Sequence, residues 1–138
     1  MRIIPAMCVG ITVLIACRSE STVGPVPSGE FHYRAYDTGG TLISTGYCTI
    51  TFTDSVSVTG NWHFEKVDTP PNIGPQTGDG KLAGLLSGGM LSVNLNPGYV
   101  DNNVFLRGQF TGTAYSGAWS WSGFPGVINR GTFRAVKQ

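Results

Sequence analysis

Beyond residue 29 apolar and polar positions alternate along most of the chain. In the run 42–54, Gly46, Cys48, Ile50 and Phe52 fall on one side and Tyr47, Thr49, Thr51 and Thr53 on the other. That period of two marks a half-buried strand. The run 56–67 repeats it, with Val58, Gly60, Trp62 and Phe64 against Thr59, Asn61, His63 and Glu65. Further on, 103–113 sets Val104, Leu106, Gly108, Phe110 and Gly112 against Phe105, Arg107, Gln109 and Thr111. The run 115–122 then sets Tyr115, Gly117, Trp119 and Trp121 against Ser116, Ala118 and Ser120. Shorter runs at 31–37, 81–86, 90–96 and 131–137 bring the number to eight, the last with Gly131, Phe133 and Ala135 on its apolar side.

Turn signals separate the runs: Thr38-Gly39-Gly40, Asp54-Ser55, Ser87-Gly88-Gly89 and the segment 97–101. The longest connection, 68–80, holds three prolines and three glycines, and is the expected place for variable function. No helical period occurs after residue 17. Short links between consecutive strands predict an antiparallel meander, and one apolar face along such a sheet has to be covered. Closure into an all-β, eight-stranded up-and-down β-barrel covers it and removes the edges. A sandwich or partly open barrel is the alternative.

Gly-x-aromatic occurs four times on apolar faces, at Gly60-Asn61-Trp62, Gly108-Gln109-Phe110, Gly117-Ala118-Trp119 and Gly131-Thr132-Phe133. Glycine within a strand gives up packing but allows tight bending and leaves room for a large ring from the next strand. This texture resembles that of small calycin-type barrels such as lipocalins and avidins. The likeness is one of strand rhythm, so it implies the barrel and transfers no ligand chemistry.

The first residues have a different pattern. Arg2 precedes an apolar run that ends in Leu14-Ile15-Ala16-Cys17, after which the chain turns small, polar and proline-bearing. A positive start and a short apolar stretch read as an export signal, too short for an ordinary membrane span. Its last four residues resemble the lipobox of bacterial lipoproteins. That resemblance implies cleavage before Cys17, acylation of Cys17 with palmitate-type chains, and attachment to a membrane of the cell envelope. Arg18, where inner-membrane retention is associated with aspartate, implies the outer membrane. The expected organisation is a signal peptide over 1–16, a lipidated cysteine and flexible tether over 17–29, and one β-barrel over 30–138. Two or more acyl chains anchor stably where one does not.

From Arg18 onward eight basic residues balance eight acidic ones, which argues against nucleic acid as a partner. With Cys8 lost in the signal and Cys17 acylated, Cys48 is left without a partner for an intramolecular disulfide. Cys48 and His63 fall on opposite faces, and His32 lies apart, so no zinc-type ligand set is expected. No cofactor is expected either. A nucleophile elbow is absent from the sequence, and of the carboxylates only Glu65 and Asp68 form a pair worth testing for glycosidase-like work. The polar face carries Thr, Ser, Asn, Gln, Arg and Glu, which does not suit a strand facing lipid.

The aromatics remain. Trp62, Phe64, Phe110, Tyr115, Trp119 and Trp121 share the apolar face, and either fill the core or line a ligand pocket at an open end. Phe105, on the opposite face, and Tyr99 and Phe124, in loops, are candidates for contact outside the core. The sequence thus leads to the expectation of a non-enzymatic, lipid-anchored envelope barrel that binds a small apolar ligand or an envelope protein. The alternatives are an interaction module with a packed core, and an envelope hydrolase using carboxylates at the barrel mouth.

Overall fold

The structure, a computed structural model, describes residues 28–71 and 73–138. The expected signal segment over 1–16, Cys17 and most of the expected tether over 17–29 lie outside the described residues. Eight strands follow in order: β1 (Gly29–Tyr36), β2 (Leu42–Phe52), β3 (Ser57–Lys66), β4 (Gly78–Ser87), β5 (Met90–Asn94), β6 (Asn103–Phe110), β7 (Ala114–Gly123) and β8 (Gly126–Lys137). Each pairs antiparallel with the next, and β1 pairs with β8 from Phe31↔Lys137 to Tyr36↔Thr132, which closes the barrel. Every strand therefore has two neighbours in the ring, although Gly78–Leu82 of β4 runs past the short β5 and has register partners on β3 alone.

The alternation read from the sequence gives the inner and outer faces. Cys48, Ile50, Val58, Trp62, Phe64, Val104, Leu106, Tyr115, Trp119, Phe133 and Ala135 are buried in one continuous core. The opposite positions of the same strands, such as Tyr47, Asn61, His63, Arg107, Ser116, Arg130 and Arg134, are exposed. Two strands are longer than their patterns suggested. β4 starts at Gly78 and β8 at Gly126, because Gly78 and Gly80 complete the ladder to Phe64 and Trp62, and Val127 completes it to Ser122. Glycine-rich text looks like loop, but a partner strand with free backbone groups recruits it into the sheet.

The four glycine–aromatic motifs divide into two uses. In the β7–β8 pair, Trp119 lies opposite Gly131 and Phe133 opposite Gly117, and the Trp119 ring takes the space that Gly131 leaves. A side chain at Gly131 would press on the Trp119 indole at 2.6 Å. Trp62 likewise covers Gly80, where an added carbon would sit 2.5 Å from the six-membered part of the indole. Gly108 instead meets Gly117 directly across the β6–β7 ladder, an approach of two backbones that any side chain would block. Tight curvature and packing around these rings thus draw on the same residues.

In an up-and-down barrel the connections alternate between two ends. The β2–β3, β4–β5 and β6–β7 turns share an end with both termini of the domain, and the β1–β2, β3–β4, β5–β6 and β7–β8 connections share the other. The end bearing the termini is closed by rings from the strands. Phe31 and Phe52 lie 5.9 and 5.6 Å from Phe110, which in turn meets Tyr115 at 6.2 Å. The far end is closed by the β3–β4 connection, residues 67–77, which turns inward and buries Ile73 and Gln76.

Candidate functional site

Of the six rings proposed as a pocket, Trp62, Phe64, Tyr115 and Trp119 are buried, and Phe110 and Trp121 pack against them partly exposed. They meet one another and their neighbours at contact distance: Trp62–Phe64 at 5.0 Å, Tyr33 stacked on Phe64 at 4.1 Å, and Tyr115 edge-on to Phe133 at 4.7 Å. Offset and edge-on pairs of this kind add about 0.5–1.5 kcal/mol beyond burial alone. Their polar atoms are already satisfied. Trp62 Nε1 donates to the Leu95 carbonyl at 2.7 Å and Trp119 Nε1 to the Tyr36 carbonyl at 2.8 Å. The Tyr115 hydroxyl faces two carbonyl oxygens, of Leu91 at 3.0 Å and Leu106 at 2.9 Å, and desolvation raises its pKa above the usual phenol value. These groups tie inner side chains to the barrel wall.

Trp121 differs from the other five. It lies near the end of β7, beside a register shift between Trp121 and Ser122, and so stands at the far end of the barrel. Its Nε1 donates to Asn102 Oδ1 at 2.7 Å, and its face lies against Gly74 of the β3–β4 connection. Together with Ile73, Gly74 and Asn102 it lines a shallow depression of about 430 Å³. Among the six, this is the residue that reaches the barrel mouth.

The β3–β4 connection was expected to be a site of variable function, and it proves to be part of the fold. Gln76, fully buried, accepts a hydrogen bond from the Tyr33 hydroxyl at 3.1 Å through Oε1. Its Nε2 donates to the Ile73 carbonyl at 2.8 Å, and its own carbonyl accepts from Ser44 Oγ at 3.2 Å. A buried amide with both ends engaged is stabilising, while one with an end unpaired is costly. Tyr33 and Gln76 stand 43 positions apart, and no spacing in the sequence announces the pair.

Cys48 and His63 point to opposite sides, as their strand positions implied. Burial pushes the Cys48 thiol up to about 12, with the Glu30 carboxylate as a smaller cause, so it stays protonated and unreactive. On the outer wall, His63 Nδ1 lies 2.7 Å from Asp79 Oδ1 and its Nε2 3.6 Å from Glu65 Oε1. The hydrogen bond to Asp79, then its charge, raise the imidazole pKa above the ordinary value. The carboxylates gathered around this histidine are thus Glu65 and Asp79, whereas the sequence had singled out Glu65 and Asp68. Asp79 is legible only once Gly78 and Gly80 are taken as inward strand positions. This group borders a groove of about 520 Å³ on the outside of β1–β4, with Tyr47 and Asn61 on its walls. Among the described residues no set of three or more His, Cys, Asp or Glu is arranged to hold a metal ion.

The loop aromatics split. Phe105 is half-buried, while Tyr99 is 66 % and Phe124 96 % exposed, with Val100 fully exposed beside Tyr99. Tyr99 and Val100 belong to the β5–β6 connection and Phe124 to the β7–β8 turn, so all three stand at the end of the barrel away from the termini. Asp101 and Ile128 flank Gly123, which brings the bases of the two loops together. Comparison with family models, with curated proteins and with solved structures finds no match for this chain.

Proposed function

We propose that this chain is a non-enzymatic cell-envelope lipoprotein, acylated on Cys17 and tethered to the outer membrane, whose β-barrel engages an envelope protein through its outer surface. One observation carries the choice of surface over interior: Trp62 packs on Phe64 and Phe110 on Tyr115, and the Trp62, Tyr115 and Trp119 donors are spent on the barrel's own backbone. The three most exposed of the large apolar side chains, Val100, Phe124 and Tyr99, stand on loops at the end remote from the tether. A membrane anchor at one end and an apolar rim at the other suit a module that presents its contact surface away from its membrane. The charged and hydroxyl side chains on the outer wall suit a domain in water better than one within lipid.

Metabolic labelling with palmitate tests the anchor. Label is expected in the wild-type chain and lost in Cys17→Ala; an unlabelled wild-type chain overturns it. A photocrosslinking residue at Val100 is expected to trap a discrete envelope protein, and Phe124→Ser with Tyr99→Ser to abolish the adduct without lowering the melting temperature. Stoichiometric uptake of a fatty acid by the purified chain, seen by native mass spectrometry, would overturn the preference for surface over interior.

A further inference from the structure

Charge is segregated along the chain. From Glu30 to Asp101 there are seven acidic residues and three basic ones, whereas from Asn102 to Gln138 there are Arg107, Arg130, Arg134 and Lys137 and no acidic residue. In a meander, neighbours in sequence are neighbours in the wall, so this becomes a basic sector made of β6, β7 and β8. Within it a groove of about 660 Å³ runs over the outer face, bounded on one side by the β1–β2 turn at 37–40. Arg107 and Ala118 are register partners, as are Ala118 and Thr132, and on the next rung Ser120 pairs with Arg130. Arg107 on β6 and Arg130 on β8 thus stand diagonally, with Ala118 and Ser120 on the strand between them and Thr132 beside Arg130, all lining the groove.

Neither arginine has a carboxylate partner among the described residues. The one carboxylate that lines the groove, Asp37, is committed to its own turn, accepting from the Gly39 and Thr41 amides at 2.9 Å each. Unpaired guanidinium groups facing one groove repel each other; a planar fork of donors matches the oxygens of a phosphate or a carboxylate, and a phosphate monoester, with about two negative charges, offsets both cations at once. The hydroxyls add donors that a phosphate accepts. A groove of this volume, in the range of small-molecule sites, exceeds what inorganic phosphate fills, so the ligand is a phosphate ester of a larger molecule. We infer that this groove binds an organic phosphate, with Arg107 and Arg130 clasping the phosphoryl group and Ser120 and Thr132 completing its hydrogen bonds. The interior, the tether and the Tyr99–Phe124 rim play no part in it, so this site and the proposed protein contact stand or fall separately.

Isothermal titration calorimetry on the purified full-length chain tests it, with glycerol 3-phosphate, dihexanoyl phosphatidic acid and inorganic phosphate as probes. Saturable one-site binding of an organic phosphate is expected, weakened about tenfold by Arg107→Gln and again by Arg130→Gln, as removal of a charge-assisted hydrogen bond would do. Both side chains are exposed, so unchanged melting temperatures are expected to show that the variants fold. Arg134→Gln, which removes the same charge outside the groove, and Phe124→Ser, at the rim, are expected to change affinity less than twofold. Tighter binding of phosphatidic acid than of glycerol 3-phosphate would identify a lipid headgroup as the source of the ligand, and the reverse a soluble ester. Binding that is equal for wild type and both arginine variants, that falls as much in Arg134→Gln, that is confined to inorganic phosphate, or that is absent for all three probes would overturn the site.

Discussion

The two ends of the barrel are sealed by different means. At the end bearing the termini, Phe31, Phe52, Phe110 and Tyr115 meet across the opening, each projecting from a strand or its last residue. The far end has the long β3–β4 connection folded over it, fastened by Gln76 to Tyr33 and Ser44 and covered by Trp121. The first closure is apolar packing and draws on the same period-two pattern that builds the wall. The second rests on a polar network around one buried amide, which rewards only a fully satisfied arrangement. A seal made of strand side chains opens when the barrel unfolds, whereas a seal made of a loop has the means to open alone.

The largest test of that contrast is Phe31→Ala. It removes a fully buried ring from the end bearing the termini, and a loss of about 3–5 kcal/mol in denaturant unfolding is expected, with cooperative exposure of the whole barrel. Gln76→Ala is expected to cost less, about 1–3 kcal/mol, because it leaves the Tyr33 hydroxyl buried without its acceptor. Its signature is local. Amide exchange should accelerate over 73–77 and the Trp121 emission shift to the red, while Cys48, buried in the wall, stays unreactive to iodoacetamide until global unfolding. Alkylation of Cys48 in native Gln76→Ala would mean that the two ends open together, and the contrast would be lost.

Gly74→Ala probes the same loop from its backbone. Gly74 has φ +65°, and an added carbon would meet the Trp121 ring at 2.6 Å. The left-handed conformation alone costs an L-residue about 1–2 kcal/mol, so a loss of that order is expected, again with the red shift at Trp121. The smallest effect concerns the outer wall near the far end. His63 has a folded-state pKa above its unfolded one, so its pairing with Asp79 contributes stability below the unfolded pKa, and that contribution is lost as pH rises through the raised value. Asp79→Asn is expected to flatten this part of the pH dependence between mildly acid and mildly alkaline solution, measured as the shift in urea midpoint. A shift as large as in the wild type would assign it to other groups.

The same division governs what could be read in advance. Which residues face inward on β2, β3, β6, β7 and β8 followed from alternation alone, since a strand has only two faces and one of them is costly to wet. The Gly-x-aromatic motifs announced a tightly curved wall, and Trp119 over Gly131, with Phe133 opposite Gly117, realises it. Gln76 was illegible for the opposite reason: a glutamine among prolines and glycines looks solvated, and its burial depends on a tyrosine on another strand. Asp79 was missed because two glycines beside it hid the strand it belongs to. The groove between Arg107 and Arg130 could not be seen either, for their diagonal placement depends on the registers of β6, β7 and β8 together.

By itself the sequence determined the inner and outer sets, the number of strands and the residues that give the wall its curvature, because these depend on a local period and on side-chain size. Only the tertiary structure decided that the sheet closes on itself, that Trp62 packs on Phe64 and Phe110 on Tyr115 while Trp121 goes to the far end, that a loop seals one end, and that scattered arginines form one basic groove. Those outcomes depend on register and on contacts between distant residues, where the free energy of a buried hydrogen bond or an unpaired charge is set by what arrives from elsewhere in the chain.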